Sequence, residues 1–340
     1  MKQVVGFGEL MLRLGPKGHL RFRQAHELEV NYTGAEANVC VSLAMMGAPA
    51  KFVTLLPDHA IAYTGVSALR GYGIDVADVK FGGDRMGIFF VEKGASQRAS
   101  EVIYDRGHTA FIGARPEAFD WKRILADSGY FHFTGITPAL GGALPEICLD
   151  ACRAARELGI SVSCDLNFRK KLWTPEQAKA VMEGLLPYVD LCIANEEDCE
   201  KVLGIRAENS CIHEGKLDRD GYRQVAGTLC ERYGVKSVGI TLRESISASD
   251  NNWSVMYYTG EKAYFSRRYA IHIVDRVGGG DSFAAGLLYA RGHGYDPQRT
   301  AEFAAAASCL KHTIEMDFNL STLAEVERLM QGDGSGRVQR

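Results

Sequence analysis

Short apolar runs alternate with helical patterns along most of this 340-residue chain, and no other feature restricts the fold as much. Residues 4–7, 51–56, 130–134, 161–165, 191–194 and 237–242 read as buried strands. Helical periodicity fits 36–46, 144–158, 175–186, 221–233, 282–291, 300–311 and 321–330. Strands that are apolar on both faces need helices on both faces. The alternation therefore predicts an α/β fold, a doubly wound and mainly parallel sheet flanked by helices. Two stretches, 10–32 and 87–104, break the rhythm and carry strand-like pieces at 87–92 and 101–104. They read as a small β lid. Two strands do not hold a sheet alone, so the lid should lean on the main body or on a second copy of the chain. The expected organisation is one domain over 1–331 with these insertions, a polar loop near 209–220 and a flexible tail over 332–340.

The chemistry is concentrated in Arg276-Val277-Gly278-Gly279-Gly280-Asp281-Ser282-Phe283-Ala284-Ala285-Gly286. Three glycines allow a tight turn whose N–H groups converge, and a helix reads well directly after them. Such a turn presents its donors at a helix N-terminus, where the macrodipole also favours an anion. A phosphate beside the Asp281 carboxylate points to phosphoryl transfer, with Asp281 taking a proton from an attacking hydroxyl. The plainer reading is a glycine loop closed by an Asp N-cap. Ligands of open parallel sheets bind outside the carboxyl ends of the strands, and four such ends are polar here. They are Gly135-Ile136-Thr137-Pro138, Asp165-Leu166-Asn167-Phe168-Arg169, Asn195-Glu196-Glu197-Asp198 and Thr241-Leu242-Arg243-Glu244-Ser245. Together with the glycine turn they point to a charged ligand.

Composition excludes several classes. A net charge of −3 makes no electrostatic case for nucleic acid or an anionic membrane. Nine cysteines without a CxxC pair, several inside apolar runs, fit buried thiols in a reducing cytosol. Cys148 and Cys152 share a helical face, but no histidine stands near to complete a metal site. The chain enters a strand directly after Met1-Lys2-Gln3, and no apolar run approaches membrane-spanning length. The expectation is a cytoplasmic protein without a signal peptide. The first strand is followed by Gly8-Glu9-Leu10-Met11 and not by Gly-x-Gly-x-x-Gly, which argues against a dinucleotide oxidoreductase, and a P-loop is absent too.

The glycine–Asp stretch resembles the C-terminal signature of the ribokinase/PfkB-like carbohydrate kinases. Tyr32-Thr33-Gly34-Ala35-Glu36-Ala37-Asn38-Val39 resembles their sugar-binding glycine motif. Within that family the chain is most similar to the 2-keto-3-deoxygluconate kinases. The likeness rests on Val102-Ile103-Tyr104-Asp105-Arg106, Phe133-Thr134-Gly135-Ile136-Thr137-Pro138, the block from Asp165 to Trp173, Ile193-Ala194-Asn195-Glu196-Glu197-Asp198 and Leu310-Lys311-His312-Thr313-Ile314.

The resemblance implies a ribokinase-like fold and ATP-dependent phosphorylation, with Mg²⁺, of the 6-hydroxyl of 2-keto-3-deoxygluconate. It implies Asp281 as general base and the N–H groups of Gly278, Gly279 and Gly280 as an anion hole, Gly278 and Gly280 also meeting the nucleotide. Gly34 and Asn38 would hold sugar hydroxyls. Arg106 and Arg169, with Tyr104, would face the substrate carboxylate, and Asp317 would stand on the substrate side. Asn167, Arg169, Asn195, Thr241 and Arg243 would face the nucleotide, and Asn195 with Asp198 would position magnesium through water. A homodimer or higher homo-oligomer is expected.

Plainer roles stand beside these. Asn195 and Asp198 fit helix capping equally well, Arg106 could be a solvated lid charge, Arg169 a structural ion-pair partner, and Glu36 a first-turn helix acid. The motif departs from the family at Thr33, at Ala62-Tyr63 and at Glu315-Met316, where glycines are expected. A neutral-sugar kinase of the same fold and a non-catalytic sugar sensor are the alternatives. Two arginines facing the sugar disfavour the first, and an intact Asp281 disfavours the second.

Overall fold

The computed structural model describes residues 1–195, 197–205 and 219–332. Glu196, most of the expected polar loop and the expected tail from residue 333 onward lie outside the described residues. Six parallel strands form the body of the main sheet, in the spatial order Ala50–Val53, Gln3–Phe7, Ser128–Thr134, Ser161–Asp165, Leu191–Ala194 and Ser237–Ser245. Period-two alternation sends Val5, Phe7, Cys192 and Ala194 into one apolar layer, and Val4, Leu191 and Ile193 into the other. Helices Leu144–Glu157, Pro175–Leu185 and Arg219–Tyr233 cover the first face, through Cys148, Ala151, Met182 and Leu229. Ala35–Met45, Gly279–Gly292 and Pro297–Lys311 cover the second, through Val39, Leu43, Phe283, Leu287 and Phe303. This is the doubly wound sheet that the alternation predicts.

The sheet also carries an antiparallel edge that the sequence reading lacks. Asp250–Tyr258 folds back on Ser237–Ser245, and Ala263–Phe265 and Tyr269–His272 pair with it in turn. A helix over Ala60–Gly71 was also unexpected. It starts where the His59 ring accepts the Ala62 N–H at 3.2 Å, and it buries Ala62, Val66 and Leu69 along one stripe.

The lid is a sheet of four strands, ordered Glu29–Thr33, Met11–Gly15, Gly87–Glu92 and Glu101–Asp105. Its central pair is parallel, which joins the two insertions into one unit. The inward row, with Met11, Phe89 and Val91, has a small apolar core of its own. Arg13 lies in that same row and anchors the lid to the main body, as described below.

Candidate active site

A cleft of about 460 Å³ separates the carboxyl edge of the parallel strands from the inner face of the lid. Of the residues the sequence singles out, Gly34, Asn38, Tyr104, Arg106, Asn167, Arg169, Asn195, Asp198, Thr241, Arg243, Gly278, Gly280, Asp281 and Asp317 all line it. The chemistry-bearing residues of three strand ends, two lid strands and two helix starts therefore meet in one space.

Asp281 sits in the first turn of Gly279–Gly292, whose N-cap is Gly278 in the left-handed region at φ 86°. An Asp N-cap is thus not what closes the glycine turn. Asn38 Nδ2 donates to Asp281 Oδ2 at 2.7 Å, and the Thr33 hydroxyl donates to Asn38 Oδ1 at 3.0 Å. Thr33, a departure from the family's glycine, thereby fixes the amide that orients Asp281. Asn38, expected on a sugar hydroxyl, has its amide engaged with these two partners. Burial pushes the Asp281 carboxyl up to about 7, against the lowering effect of the Asn38 hydrogen bond. A carboxylate poised near neutrality suits a general base.

Around the turn, close approach dictates the glycines. A β-carbon at Gly278 would lie 2.1 Å from the Asp317 carbonyl oxygen, and one at Gly34 would lie 2.1 Å from that of Glu9. Gly279 differs from its neighbours. It packs on the His312 ring and its N–H donates to the Arg276 carbonyl at 3.4 Å, so Gly278 and Gly280 alone of the three line the cleft.

On the lid side, Tyr104 stacks on Phe89 with ring centroids 5.7 Å apart, and the Arg106 guanidinium lies 5.5 Å from the Tyr104 ring centre. Arg106 is not a solvated charge. It is buried and donates from Nε and Nη2 to Glu9 Oε2 at 3.0 and 2.5 Å, while Thr109 donates to Glu9 Oε1 at 2.7 Å. Glu9, at the end of the first strand, is a site residue that the sequence reading passed over. An acid directly after a buried strand was the available signal.

Arg169 faces the opposite wall, with Nη1 donating to the Phe168 carbonyl at 3.1 Å. Its charge lowers the carboxyls of Asp165, Asp198 and Asp281, although burial pushes all three up, Asp198 to about 6. Asp165, which opens that polar strand end, accepts the N–H of Asn167, which occupies the left-handed region at φ 41°. Asn195 Oδ1 accepts the N–H groups of Glu197 and Asp198 at 2.8 and 3.0 Å, and Asp198 Oδ2 accepts the Asn195 N–H at 3.3 Å. That reciprocal pair is a capping box, and Asp198 Oδ1 further holds the Phe168 N–H at 3.1 Å. Among the described residues no cluster of three or more His, Cys, Asp or Glu is placed to bind a metal directly.

Arg243 and Arg276 line the end of the cleft beyond Thr241. Burial, and then the charge of Arg243, push the Arg276 guanidinium down. Two guanidiniums that repel each other across one space suit the oxygens of an anion. On the far side of the glycine turn, Arg13 pairs with Asp275 at 2.6 Å and with Asp317, all three buried. The Asp317 carboxylate is buried in the wall of the cleft, beside Thr33.

The chain matches the model of the pfkB family carbohydrate kinases over residues 1–314. It belongs to that family. The solved structure of a 2-dehydro-3-deoxygluconokinase from Thermotoga maritima is 52% identical and superposes with a TM-score of 0.94 over 97% of this chain and 98% of that one. A 2-dehydro-3-deoxygalactonokinase from Haloferax volcanii is 32% identical over 98% of each chain. A 2-dehydro-3-deoxygluconokinase from Thermoproteus tenax is 26% identical over 97% of this chain and 95% of its own. This PfkB-family protein is accordingly a carbohydrate kinase with the ribokinase-like fold, and sugar acids are the substrate class its relatives point to.

Proposed function

We propose that this kinase transfers the γ-phosphoryl group of ATP to the 6-hydroxyl of 2-keto-3-deoxygluconate, in the cytoplasm. The observation that carries the reading is the placement of Arg169, with Tyr104 and Arg106, in the same cleft as Asp281. A guanidinium fork matches a planar carboxylate through two parallel charge-assisted bonds, and a neutral sugar makes no use of it. The names of the relatives from Thermotoga maritima and Haloferax volcanii support a 2-keto-3-deoxy acid.

In this account Asp281 takes the proton of the 6-hydroxyl as that oxygen attacks the γ-phosphorus. The bond from γ-phosphorus to the β,γ-bridging oxygen breaks, and ADP leaves with its electron pair. The N–H groups of Gly278 and Gly280 meet the charge that spreads over the transferring phosphoryl oxygens, and the helix dipole behind them acts in the same sense. Arg243 and Arg276 hold phosphates at the nucleotide end, with Asn167 and Thr241 beside them. Asp317, whose carboxyl burial pushes up and Arg13 pulls back down, accepts from a sugar hydroxyl, and Gly34, packed too closely on the Glu9 carbonyl to carry a side chain, offers its main chain to the sugar.

The charge of Asp198 adds to burial in pushing the Asp165 carboxyl up, so a cation fits between the phosphates and this acidic wall. Asp198 and Asn195 would hold a hydrated Mg²⁺ there through water. When bound, the ion neutralises phosphate charge.

The outer face of the lid supports a homodimer. Leu12, Leu14, Val30, Ile88, Phe90 and Ile103 fall on that face by register, with Val30 60% and Ile103 46% exposed.

An ADP-release assay across 2-keto-3-deoxygluconate, its 4-epimer 2-keto-3-deoxygalactonate, fructose and ribose tests the substrate, and ³¹P–¹³C couplings in the product test the position. The expected result is turnover of the gluconate-derived acid with phosphate on carbon 6. Preference for a neutral sugar, or phosphate elsewhere, would overturn the reading.

A further inference from the structure

Lys311 ends the helix Pro297–Lys311, where a lysine ordinarily runs its stem along the surface and keeps its ammonium in water. Here the residue is 0% exposed. Its Nζ donates to the carbonyl oxygens of Ile314 at 3.1 Å and Asp275 at 3.4 Å. Asp275 begins the segment that enters the glycine turn, and its Oδ1 accepts the Val277 N–H at 3.1 Å. Ile314 begins the segment that leads to Asp317, whose carbonyl oxygen presses on Gly278. The lysine stem runs beneath the same glycine, since a β-carbon at Gly278 would stand 3.2 Å from Lys311 Cε. One ammonium therefore joins both strands of chain that shape the phosphate-binding turn.

The charges around it are balanced. Arg13 and Lys311 face Asp275 and Asp317 in a dry space, with Asp281 close enough to act on Lys311 as well. Burial pulls the Lys311 pKa down, and Asp275, Asp317 and Asp281 hold it up against the repulsion of Arg13. Burying an ammonium is costly, and a methionine of similar length fills such a space without that cost. What the methionine cannot do is hold two carbonyl oxygens and offset two carboxylates.

We propose that Lys311 is a positioning residue for phosphoryl transfer, an internal cation that fixes the segments flanking the glycine turn and keeps positive charge beneath Gly278. It does not touch substrate; it acts through the turn. The proposal rests on the reading of this turn as the phosphoryl cradle and of Asp281 as base. It does not depend on which sugar is the substrate.

The test compares full-length Lys311→Met and Lys311→Gln with wild type, in the ADP-release assay on whichever sugar the wild type phosphorylates best. The Met variant should lose about 10–100-fold in kcat, the usual result of misplacing a catalytic group by a fraction of an ångström to 1 Å, with each KM changed far less. Ammonium chloride should restore several-fold of that loss, because a small cation can enter the space the side chain leaves, and it should restore nothing in Asp281→Asn. The Gln variant keeps a donor for the carbonyl oxygens without the charge, and should remain at least about tenfold down while melting near wild type. It decides the matter if the Met variant does not fold. A Gln variant with kcat within twofold of wild type, or a folded Met variant whose deficit ammonium leaves unchanged, would overturn the proposal. Wild-type preference for a neutral sugar would overturn the substrate assignment and leave this test intact.

Discussion

Asp281 and Met316 illustrate how single residues in this enzyme sit at odds with the stability of the fold. Burial raises the Asp281 pKa to about 7 from an ordinary value near 3.8. A group whose pKa is raised by folding contributes stability that is complete below its unfolded pKa and lost as the pH rises through its folded one. Asp281 thus weighs against the fold over the interval from about 4 to about 7 and above, where it must be charged to act. Asp281→Asn should therefore melt higher than wild type at pH 8 and no higher at pH 4, while losing about 10²–10⁴-fold in kcat. Paired melting curves and initial rates check both halves. Turnover within a factor of a few of wild type would remove Asp281 from the base role. Met316 occupies the left-handed region at φ 64°, at the place where the family's glycine is expected. That conformation costs a side-chain-bearing residue about 1 kcal/mol. Met316→Gly should leave the denaturation midpoint unchanged or raise it, since relief of strain opposes the entropy of a freer unfolded chain. A clear loss in urea titration would mean that the Met316 side chain contributes packing that outweighs its strain.

At the scale of elements, legibility followed the range of the interaction. Strands 161–165 and 191–194 were read to the residue, because a buried parallel strand announces itself through its own composition. The antiparallel strand Asp250–Tyr258 begins Asp-Asn-Asn and has no helix before it, so neither composition nor rhythm marks it. In Ala60–Gly71 the exposed Ile61 and Tyr63 blur the stripe formed by Ala62, Val66 and Leu69. The lid was legible as β structure but not as four strands, since the parallel pairing of Met11–Gly15 with Gly87–Glu92 joins residues 76 positions apart. Its outer apolar face leads to a prediction at this scale. Val30→Lys with Ile103→Lys should convert the proposed homodimer to monomer in light scattering at micromolar concentration, because two charges on that face would meet their own copies. A wild-type protein that is already monomeric there would contradict the role assigned to the face.

Across the whole molecule, the site was legible wherever residues share a strand end, and illegible wherever two distant segments meet as charges. Asn167, Arg169 and Thr241 all stand at the carboxyl edge that the doubly wound topology designates, and Gly278 and Asp281 are marked by their own glycine-rich helix start. Arg13 reaches Asp317 across 304 positions of sequence, and Glu9 reaches Arg106 across 97. Neither contact has a local signature. The same long range explains why Asn195 and Asp198 read equally as a cap and as magnesium positioners. The capping box is local and visible, whereas the acidic wall that Asp198 forms with Asp165 appears only after folding.

The cleft is proposed to select an acid by its carboxylate, and Arg169 is the side chain on which that selection turns. Lysine keeps the charge but lacks the fork, and truncating a charge-assisted pair at a dry site costs a few kcal/mol, about 10²-fold or more in kcat/KM. The measurement is the ratio of kcat/KM for 2-keto-3-deoxygluconate to that for fructose, in wild type and in Arg169→Lys. Wild type should show a large ratio that collapses in the variant, with the fructose value, where measurable, affected less. A ratio below one in wild type, or an equal loss on both sugars in the variant, would contradict it, the second outcome assigning the guanidinium to the nucleotide alone.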